Sequence, residues 1–338
     1  MNRSWFRPVF VAAISIAALF APAVLATQTY KKIGEFRVDG LSANGIAADS
    51  DSRRLFVATT TGVEVLNLDT GAHLGSVSGT SGTGDVLLIP VTNGEDTAAS
   101  TTGFAADANG DVIMFSLVGL RPLATVKLET SGPARLCYDE AARQVEAVSA
   151  AGSLTSLDAS TGKVVGHAKI RTGKGQIACG TLAHVYVADP VDNVVHVLNH
   201  EKMTNDGDLP MQSGKQPTGL ALDTKGRRLF VACENGVIEI VDTDAGFTFR
   251  QLNVGQGEAH EMFVWLPQGK GEWKAADFVA SKDGTLAGVR MNAFINYTVG
   301  GEYKLTPGLG SIAFDGKTRH LLVCRNESGS ASIVVVGY

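Results

Sequence analysis

Three ionisable side chains stand close together in the stretch GEAHEM, which spans residues 257–262. Glu258 and Glu261 flank His260, whose imidazole can exchange a proton near neutral pH. Carboxylate oxygens and an imidazole nitrogen are also common ligands of divalent metals. The spacing is therefore compatible with acid–base or metal-assisted chemistry, and equally with a hydrogen-bonded His–Glu pair in an ordinary loop.

A second stretch rich in oxygen ligands is NDGDLP, at residues 205–210. It has the composition of a calcium loop but lacks the ligand spacing and the bidentate Glu of an EF-hand. We interpret it as an Asp/Gly turn in an outer hairpin, with calcium binding as the alternative. The chain contains neither a Gly-x-Ser-x-Gly elbow nor a phosphate-binding loop, so no motif identifies it as an enzyme.

The amino terminus has the pattern of a secretory leader. Arg3 and Arg7 precede an apolar run, and Val24 and Ala26 suit a cleavage site. We predict a signal peptide over residues 1–26 and a mature chain over 27–338, with an uncleaved membrane anchor as the alternative. The leader holds two of the 29 basic residues and none of the 34 acidic ones, so its removal changes the net charge from −5 to −7. An acidic surface disfavours broad nucleic-acid binding.

The elements that position the candidate residues repeat along the chain. The run RRLFVA begins at Arg53 and again at Arg227, an offset of 174 residues, or four units of about 43. Each unit has a short apolar strand often closed by Asp, a polar turn, a strand rich in Leu, Val and Phe, a Gly-bearing loop and an alternating strand. Seven units begin near residues 41, 83, 133, 174, 215, 258 and 309. This spacing predicts an all-β fold, a seven-bladed β-propeller.

The two ends of the chain complement each other in this arrangement. The seventh unit ends after its third strand, while an unassigned strand, KKIGEFRVDG, precedes the first unit. Pairing these strands would close the ring and cover an edge that otherwise invites aggregation. We therefore predict that the N-terminal strand completes the last blade.

The strands RRLFVA, HVYVA and HLLVC, each placed between a polar turn and a Gly-bearing loop, resemble YVTN-type repeats. The chain is similar in this respect to the bacterial YncE-like seven-bladed propellers over nearly its whole mature length. The resemblance implies an exported protein, periplasmic or secreted, with a binding role that includes DNA in some members. It implies no agreed catalytic residues.

In a propeller, the loops that enter the innermost strands and those between the second and third strands surround one end of the central channel. We expect the ligand-binding site at that end. The candidate residues are Asn44, Lys174, Asp189, Asp192, Lys215, Glu234, Asn235, Glu258, His260, Arg325 and Asn326. Four of them could imitate the calcium site of a propeller lactonase: Asn44, Asn235, Glu258 and Asn326. Each is equally compatible with a solvated turn.

The remaining histidines lie away from that face, with His167 and His196 assigned to outer strands, so a multi-His metal cluster is not expected. Cys137 and Cys179 occupy matching places in neighbouring innermost strands. A disulfide between them requires Cα atoms within about 7 Å, and the sequence leaves it open. Cys233 and Cys324 belong to blades that do not touch, and we expect them to be buried apolar residues.

Blade 6 departs from the repeat at VWLPQGKGEWK, where a longer loop replaces the usual tight turn. This loop carries Trp265 and Trp273. The two indoles form either a contact surface or packing between blades.

Three functions fit these observations. The first is an exported, monomeric, non-catalytic binding or scaffold propeller whose polar channel face holds a protein or a small polar ligand, without a cofactor and without a membrane contact after leader cleavage. The second is a metal-assisted, lactonase-like hydrolase acting through Glu258 and His260. The third is a DNA-binding propeller, which the net charge disfavours.

Overall fold

The computed structural model describes residues 30–38, 42–93, 96–98, 101–128, 134–170, 175–269, 272–292, 296–328 and 330–337. Regular structure in these ranges consists of strands, arranged as seven four-stranded antiparallel sheets and one two-stranded hairpin. The predicted signal peptide lies outside the described residues. Within those ranges no helix has the length and apolar character needed to cross a membrane. The protein is an all-β, seven-bladed propeller, as the repeat predicts.

The first four blades follow one another along the chain. Blade 1 consists of β2 (Ala43–Asp49), β3 (Arg54–Thr59), β4 (Val63–Asn67) and β5 (His73–Ser76). Blade 2 consists of β6 (Asp85–Leu88), β9 (Thr102–Ala106), β10 (Asp111–Ser116) and β11 (Arg121–Lys127). Blade 3 consists of β12 (Ala134–Asp139), β13 (Gln144–Ser149), β14 (Ser153–Asp158) and β15 (Val164–Lys169). Blade 4 consists of β16 (Ile177–Thr181), β17 (His184–Asp189), β18 (Val194–Asn199) and β19 (Thr204–Pro210).

The last three blades complete the ring. Blade 5 consists of β20 (Pro217–Asp223), β21 (Arg228–Cys233), β22 (Val237–Asp242) and β23 (Phe247–Asn253). Blade 6 consists of β24 (Ala259–Gly269), β25 (Glu272–Ser281), β26 (Thr285–Asn292) and β27 (Asn296–Lys304). Blade 7 consists of β28 (Leu309–Asp315), β29 (His320–Glu327), β30 (Ser330–Gly337) and the N-terminal strand β1 (Lys31–Val38). Strand β1 pairs antiparallel with β30, which confirms the predicted closure.

Side chains of each second strand alternate between the two neighbouring blades. In β3, Leu55 and Val57 pack toward blade 7, whereas Phe56 and Ala58 pack toward blade 2. The rings of Phe56 and Phe115 lie 5.8 Å apart across the junction of blades 1 and 2. Because a strand presents successive residues to opposite faces, one short apolar run fills two interblade layers. The run RRLFVA recurs because the second strand of each of these blades has to fill the layers on both of its faces.

The polar turn between the first and second strands also repeats. The Asp that ends the innermost strand accepts backbone N–H groups two or three residues later, and the fourth residue after it adopts a left-handed conformation. The left-handed residues are Arg53, Arg143, Arg227 and Arg319, with φ of 55°, 54°, 56° and 60°. The side-chain hydrogen bonds hold an Asx turn that ends in this left-handed residue. The spacing Asp-x-x-x-Arg in the sequence is therefore a turn signal.

Three sequence interpretations need correction. The segment NDGDLP belongs to the outer strand β19 and is not a turn. His196 lies in β18, the third strand of its blade, and not in an outermost strand. In blade 6 the expected long loop is an extension of β24 and β25 into 11- and 10-residue strands.

Two further features concern insertions. Blade 2 carries an additional hairpin, β7 (Val91–Asn93) and β8 (Asp96–Ala98), which the repeat did not predict.

In blade 6, the Trp265 ring lies edge-on to Phe263 at 5.8 Å, and the Lys225 ammonium of blade 5 lies 5.6 Å from the centroid of the Trp265 ring. Trp265 therefore packs partly against its own blade and partly against the neighbouring blade.

Candidate functional site

The innermost strand of each blade is an edge strand that faces the central channel. The backbone N–H and C=O groups on its channel side have no further strand to pair with, so other groups must form hydrogen bonds with them. A polar residue stands near the start of every innermost strand, just before its apolar residues. We call these seven residues the channel ring: Asn44, Asp85, Arg135, Gln176, Thr218, His260 and Ser311.

Most of the channel ring is used to join neighbouring blades. Three ring side chains accept a backbone N–H from the next blade: Ser311 Oγ from Ile46 (3.3 Å), Asp85 Oδ2 from Leu136 (2.9 Å) and Thr218 Oγ1 from Ala259 (2.9 Å). Asn44 Nδ2 donates to the Thr83 carbonyl of blade 2 at 2.9 Å. These bonds couple the blades at the channel wall, which makes the wall a rigid frame.

Gln176 has the longest reach of the ring. Its Oε1 accepts backbone N–H groups from Leu220 of blade 5 at 3.1 Å and from Glu261 of blade 6 at 2.8 Å. One side chain of blade 4 thereby connects three consecutive blades.

Arg135 and His260 differ from the other ring residues. Arg135 Nη1 makes one long hydrogen bond, to the Gly84 carbonyl at 3.4 Å, and no carboxylate of the described chain lies within ion-pair distance of its guanidinium. His260 has no hydrogen-bond partner among the described residues. These two side chains retain hydrogen-bonding capacity toward the channel.

A cavity of about 520 Å³ opens at this end of the channel. Its lining includes Arg135 of blade 3 together with four residues predicted as site residues: Asn44, Glu258, His260 and Asn326. Lys282 lines the rim and its Nζ lies 3.5 Å from Glu258 Oε2, with both side chains at least half exposed. The volume is in the range of small-ligand sites. The fold thus brings four of the eleven predicted residues together, from three different blades.

Burial and charge determine the protonation state of His260. Burial lowers the pKa of His260 to about 4. The positive charge of Arg135 also lowers this pKa, whereas the charge of Glu258 raises it. The imidazole is consequently neutral at physiological pH. Burial also raises the pKa of Asp85, although Arg135 and two backbone N–H donors partly offset this effect.

Glu261 is separated from Glu258 and His260, although the three are close in sequence. Its side chain turns into the junction between blades 5 and 6, where Oε2 accepts the Ala232 N–H at 3.1 Å. The side chain of Asp277 enters the same junction, because it lies on the same face of β25 as Val279. Burial raises the pKa of both carboxyl groups, and that of Glu261 rises further because of Asp277. The combined Glu–His–Glu site is therefore not formed.

Two of the predicted asparagines serve as backbone clamps. Asn326 Oδ1 accepts the Ala43 N–H at 2.9 Å, and its Nδ2 donates to the Ala43 carbonyl at 3.0 Å. In blade 5, Asn235 Oδ1 accepts the Lys215 N–H at 2.9 Å and Nδ2 donates to the Ser213 carbonyl at 3.0 Å. Asn235 does not line the cavity. The four residues considered for calcium therefore do not converge on one point.

The other predicted residues surround the cavity or lie apart from it. Lys215 and Asn235 are exposed and Glu234 is half-buried on the rim of blade 5. Arg325 points toward the outer strand, where it pairs with Glu35, and it also contacts Glu327 at 2.9 Å. Lys174 lies outside the described residues.

Asp189 and Asp192 belong to a separate cluster with His196 in blade 4. Among the described residues, this is the one group of three or more His, Cys, Asp or Glu with donor atoms close enough for a metal. The ring of His196 already lies between two carboxylates, with Nε2 at 3.1 Å from Asp189 and Nδ1 at 2.7 Å from Asp208. These contacts join β17, β18 and β19 within one blade. A polar residue in an otherwise apolar third strand was the available sequence signal.

Cys137 and Cys179 form a disulfide between β12 and β16, with Cα atoms 6.0 Å apart. The bond joins the innermost strands of blades 3 and 4, directly beside the channel ring. Cys233 and Cys324 are free and buried, as expected. Burial raises the pKa of both thiols, so neither is a ready nucleophile.

Comparisons with known proteins support the fold. No protein-family model and no curated protein matches the chain. Among solved structures, the WD40 repeats of RRP9 superpose with a TM-score of 0.70 at 10% identity, over 90% of this chain and 98% of that one. A structure of U3-55K gives a TM-score of 0.67 at 10% identity, with the same coverage of each chain. At this identity the similarity shows a WD40-like propeller fold, and the YncE-like resemblance stays a prediction.

Proposed function

We propose that this protein is an exported, non-catalytic binding propeller that holds a protein partner across the channel face. The observation that carries the proposal is the cavity of about 520 Å³ at the centre of that face, set in a ring whose blades are joined by side-chain hydrogen bonds. A rigid frame that presents exposed polar loops is suited to recognition, because the binding groups are already ordered before the partner arrives.

The rim around the cavity favours a protein over an extended polyanion. Lys215 and Lys282 alternate there with Glu258 and Glu234, so neither sign of charge dominates. A nucleic acid requires a continuous basic track. A protein surface of mixed charge can complement such a rim, which sets orientation and partner choice more than affinity.

The disulfide supports the proposed export. Disulfides persist in oxidising compartments such as the periplasm and the extracellular medium. The Cys137–Cys179 bond joins two blades in the interior of the ring. Together with the leader-like residues 1–26, it favours a protein that matures outside the cytoplasm.

Site-specific photo-crosslinking in the native host tests this function. A photoreactive amino acid is introduced at Lys282 or at Lys215 on the channel face, and at Arg250 on the exposed outer strand β23 as the control. We expect the same partner to be crosslinked from both face positions and not from Arg250. Equal crosslinking from all three positions, or crosslinking from Arg250 alone, would contradict the proposal.

A further inference from the structure

The channel ring contains one cation, Arg135, that makes no ion pair with any described residue. Four ring side chains form hydrogen bonds with backbone groups of a following blade: Asn44, Gln176, Thr218 and Ser311. Asp85 accepts the N–H groups of Val86 and Leu136. Within the described part of the chain, Arg135 has only the 3.4 Å bond to the Gly84 carbonyl. A guanidinium can donate five N–H groups, so most of this capacity is unused.

The charges that line the cavity leave this cation uncompensated. Lys282 and Glu258 lie 3.5 Å apart and offset each other at the rim. His260 is neutral at physiological pH. Asp85 does not line the cavity and makes no ion pair with Arg135 among the described residues; burial raises its pKa, although the charge of Arg135 acts against this rise. A guanidinium that has no ion-pair partner among the described residues therefore faces the cavity, in a chain whose overall charge is negative.

We propose that the channel mouth binds a carboxylate group, with Arg135 as the principal contact and His260 as a second hydrogen-bond donor. The planar guanidinium fork matches the two oxygens of a carboxylate, and such charge-assisted pairs are stronger than neutral hydrogen bonds. The neutral imidazole supplies one N–H, and both residues line the same cavity.

The surrounding acids favour a monoanion. A phosphate dianion would bring a second negative charge close to Glu258 while meeting a single cation, Arg135, that makes no ion pair with the described residues. A carboxylate carries one charge and matches the single free guanidinium. This inference rests on the proposed function and refines it, because a carboxylate at the end of a partner chain or on its side chain can enter the channel end-on.

The test uses the mature protein and three probes at neutral pH: N-acetyl-Gly-Gly-Ala, its C-terminal amide, and propionate. Affinity is measured by calorimetry, and the His260 imidazole is followed by NMR after assignment with His260→Gln. We expect the peptide acid to bind and to raise the His260 pKa, because a bound anion stabilises the imidazolium, and the amide to have no effect. A tighter peptide acid identifies a chain terminus as the source of the carboxylate, and a tighter propionate identifies a free small acid.

Variants assign the contact. Arg135→Gln should weaken binding of the acid at least about tenfold, the value of one charged hydrogen bond. Arg121→Gln, which removes the same charge from the exposed outer strand β11, should leave the affinity unchanged. Arg135→Gln is compared with the wild type in thermal unfolding, and His260→Gln provides a second, weaker loss should the first variant misfold.

Three results would overturn the inference: equal binding of the acid and the amide, unchanged affinity in Arg135→Gln, or no shift of the His260 resonance at saturation. The proposed partner binding is measured separately by crosslinking. Loss of the carboxylate effect with crosslinking intact refutes only the inference, whereas bound carboxylate without face-specific crosslinks refutes only the proposed function.

Discussion

The junction of blades 7 and 1 and the junction of blades 5 and 6 are built from the same repeat but hold buried carboxyl groups in different states. Between blades 7 and 1, Arg53 Nη1 lies 2.8 Å from both oxygens of Asp315. Burial by itself would raise the pKa of Asp315, but hydrogen bonds from Thr318 and Arg53 lower it overall. Between blades 5 and 6, Asp277 has no hydrogen-bond partner for either oxygen among the described residues, and burial raises its pKa.

The identical run RRLFVA shows why the junctions diverge. Arg53 begins the first copy and pairs both with Asp69 of its own blade and with Asp315 of the preceding blade. Arg227 begins the second copy, but the corresponding position of its preceding blade, blade 4, is Gly180, so Arg227 pairs with Asp244 of its own blade. The same residue is an interblade clamp in one place and an exposed turn pair in the other. The neighbour decides the role of a repeated residue.

The largest expected effect comes from a third junction, where blades 3 and 4 share a covalent bond. The disulfide closes a loop with a sequence separation of 42, and loss of this cross-link should lower the free energy of unfolding by about 4 kcal/mol on chain-entropy grounds. Chemical denaturation of Cys137→Ser/Cys179→Ser against the wild type measures it. A reducing agent should destabilise the wild type and leave the double variant unchanged; equal sensitivity of both proteins would contradict the assignment.

The next effect separates the two copies of the repeat. Arg53→Ala should lower the free energy of unfolding by about 3 kcal/mol, because it leaves the buried Asp315 without its cation. Arg227→Ala is the matched control and should cost less than about 1 kcal/mol, because both side chains of its ion pair are more than 40% exposed. Both residues have left-handed backbones, so the alanine strain is common to the two variants. Similar losses in urea denaturation would refute the comparison.

The pH dependence should have opposite signs at the two junctions. A lowered pKa at Asp315 means stability that is lost as the pH falls through the folded-state value. The pKa values of Glu261 and Asp277 are raised in the folded protein, so the free energy of unfolding falls as the pH rises above the pKa values of these groups in the unfolded chain. The loss is up to about 1.4 kcal/mol per pH unit for each group.

Asp277→Asn should therefore reduce the stability loss between pH 5 and pH 8, because the amide has no proton to release. Unfolding midpoints across this range measure the change, with Glu140→Gln at an exposed position of blade 3 as the control. A wild-type protein whose stability does not fall between pH 5 and pH 8 would argue against a protonated Glu261–Asp277 pair.

The smallest effect concerns the channel wall. Thr218→Val removes the acceptor of the buried Ala259 N–H and should cost about 1 kcal/mol in the junction of blades 5 and 6. Ser311→Ala removes a longer bond, of 3.3 Å, in the junction of blades 7 and 1, and should cost less. Thermal unfolding of the two variants ranks them, and the reverse order would show that bond length is not the deciding factor.

Much of the architecture could be predicted from local patterns. The apolar run in RRLFVA and the Asp-x-x-x-Arg turns are short-range signals: the run indicates a strand buried on both faces, and the spacing indicates a turn. Seven copies of such a unit can bury both faces of every sheet only in a closed ring. The β7–β8 hairpin was missed because three-residue strands carry almost no pattern.

The site was predictable only in part, because it depends on distances between blades. Asn44, Glu258, His260 and Asn326 line one cavity, and Arg135 lines it too, although it was not among the candidates and occupies the matching position of blade 3. Nothing in the sequence distinguishes Asn235, which clamps the backbone outside the cavity, from Asn44, which lines it.

Patterns within about 45 residues thus specified the blade and most of its turns, and the repetition of these patterns along the whole chain indicated the number of blades and the strand that closes the ring. The tertiary structure decided which polar residues neutralise each other. It pairs Arg53 with Asp315 across the closure, leaves Arg135 facing the cavity and buries Glu261 beside Asp277. Electrostatic interactions depend on separation in space and on exclusion of water, and both are set by which blades become neighbours.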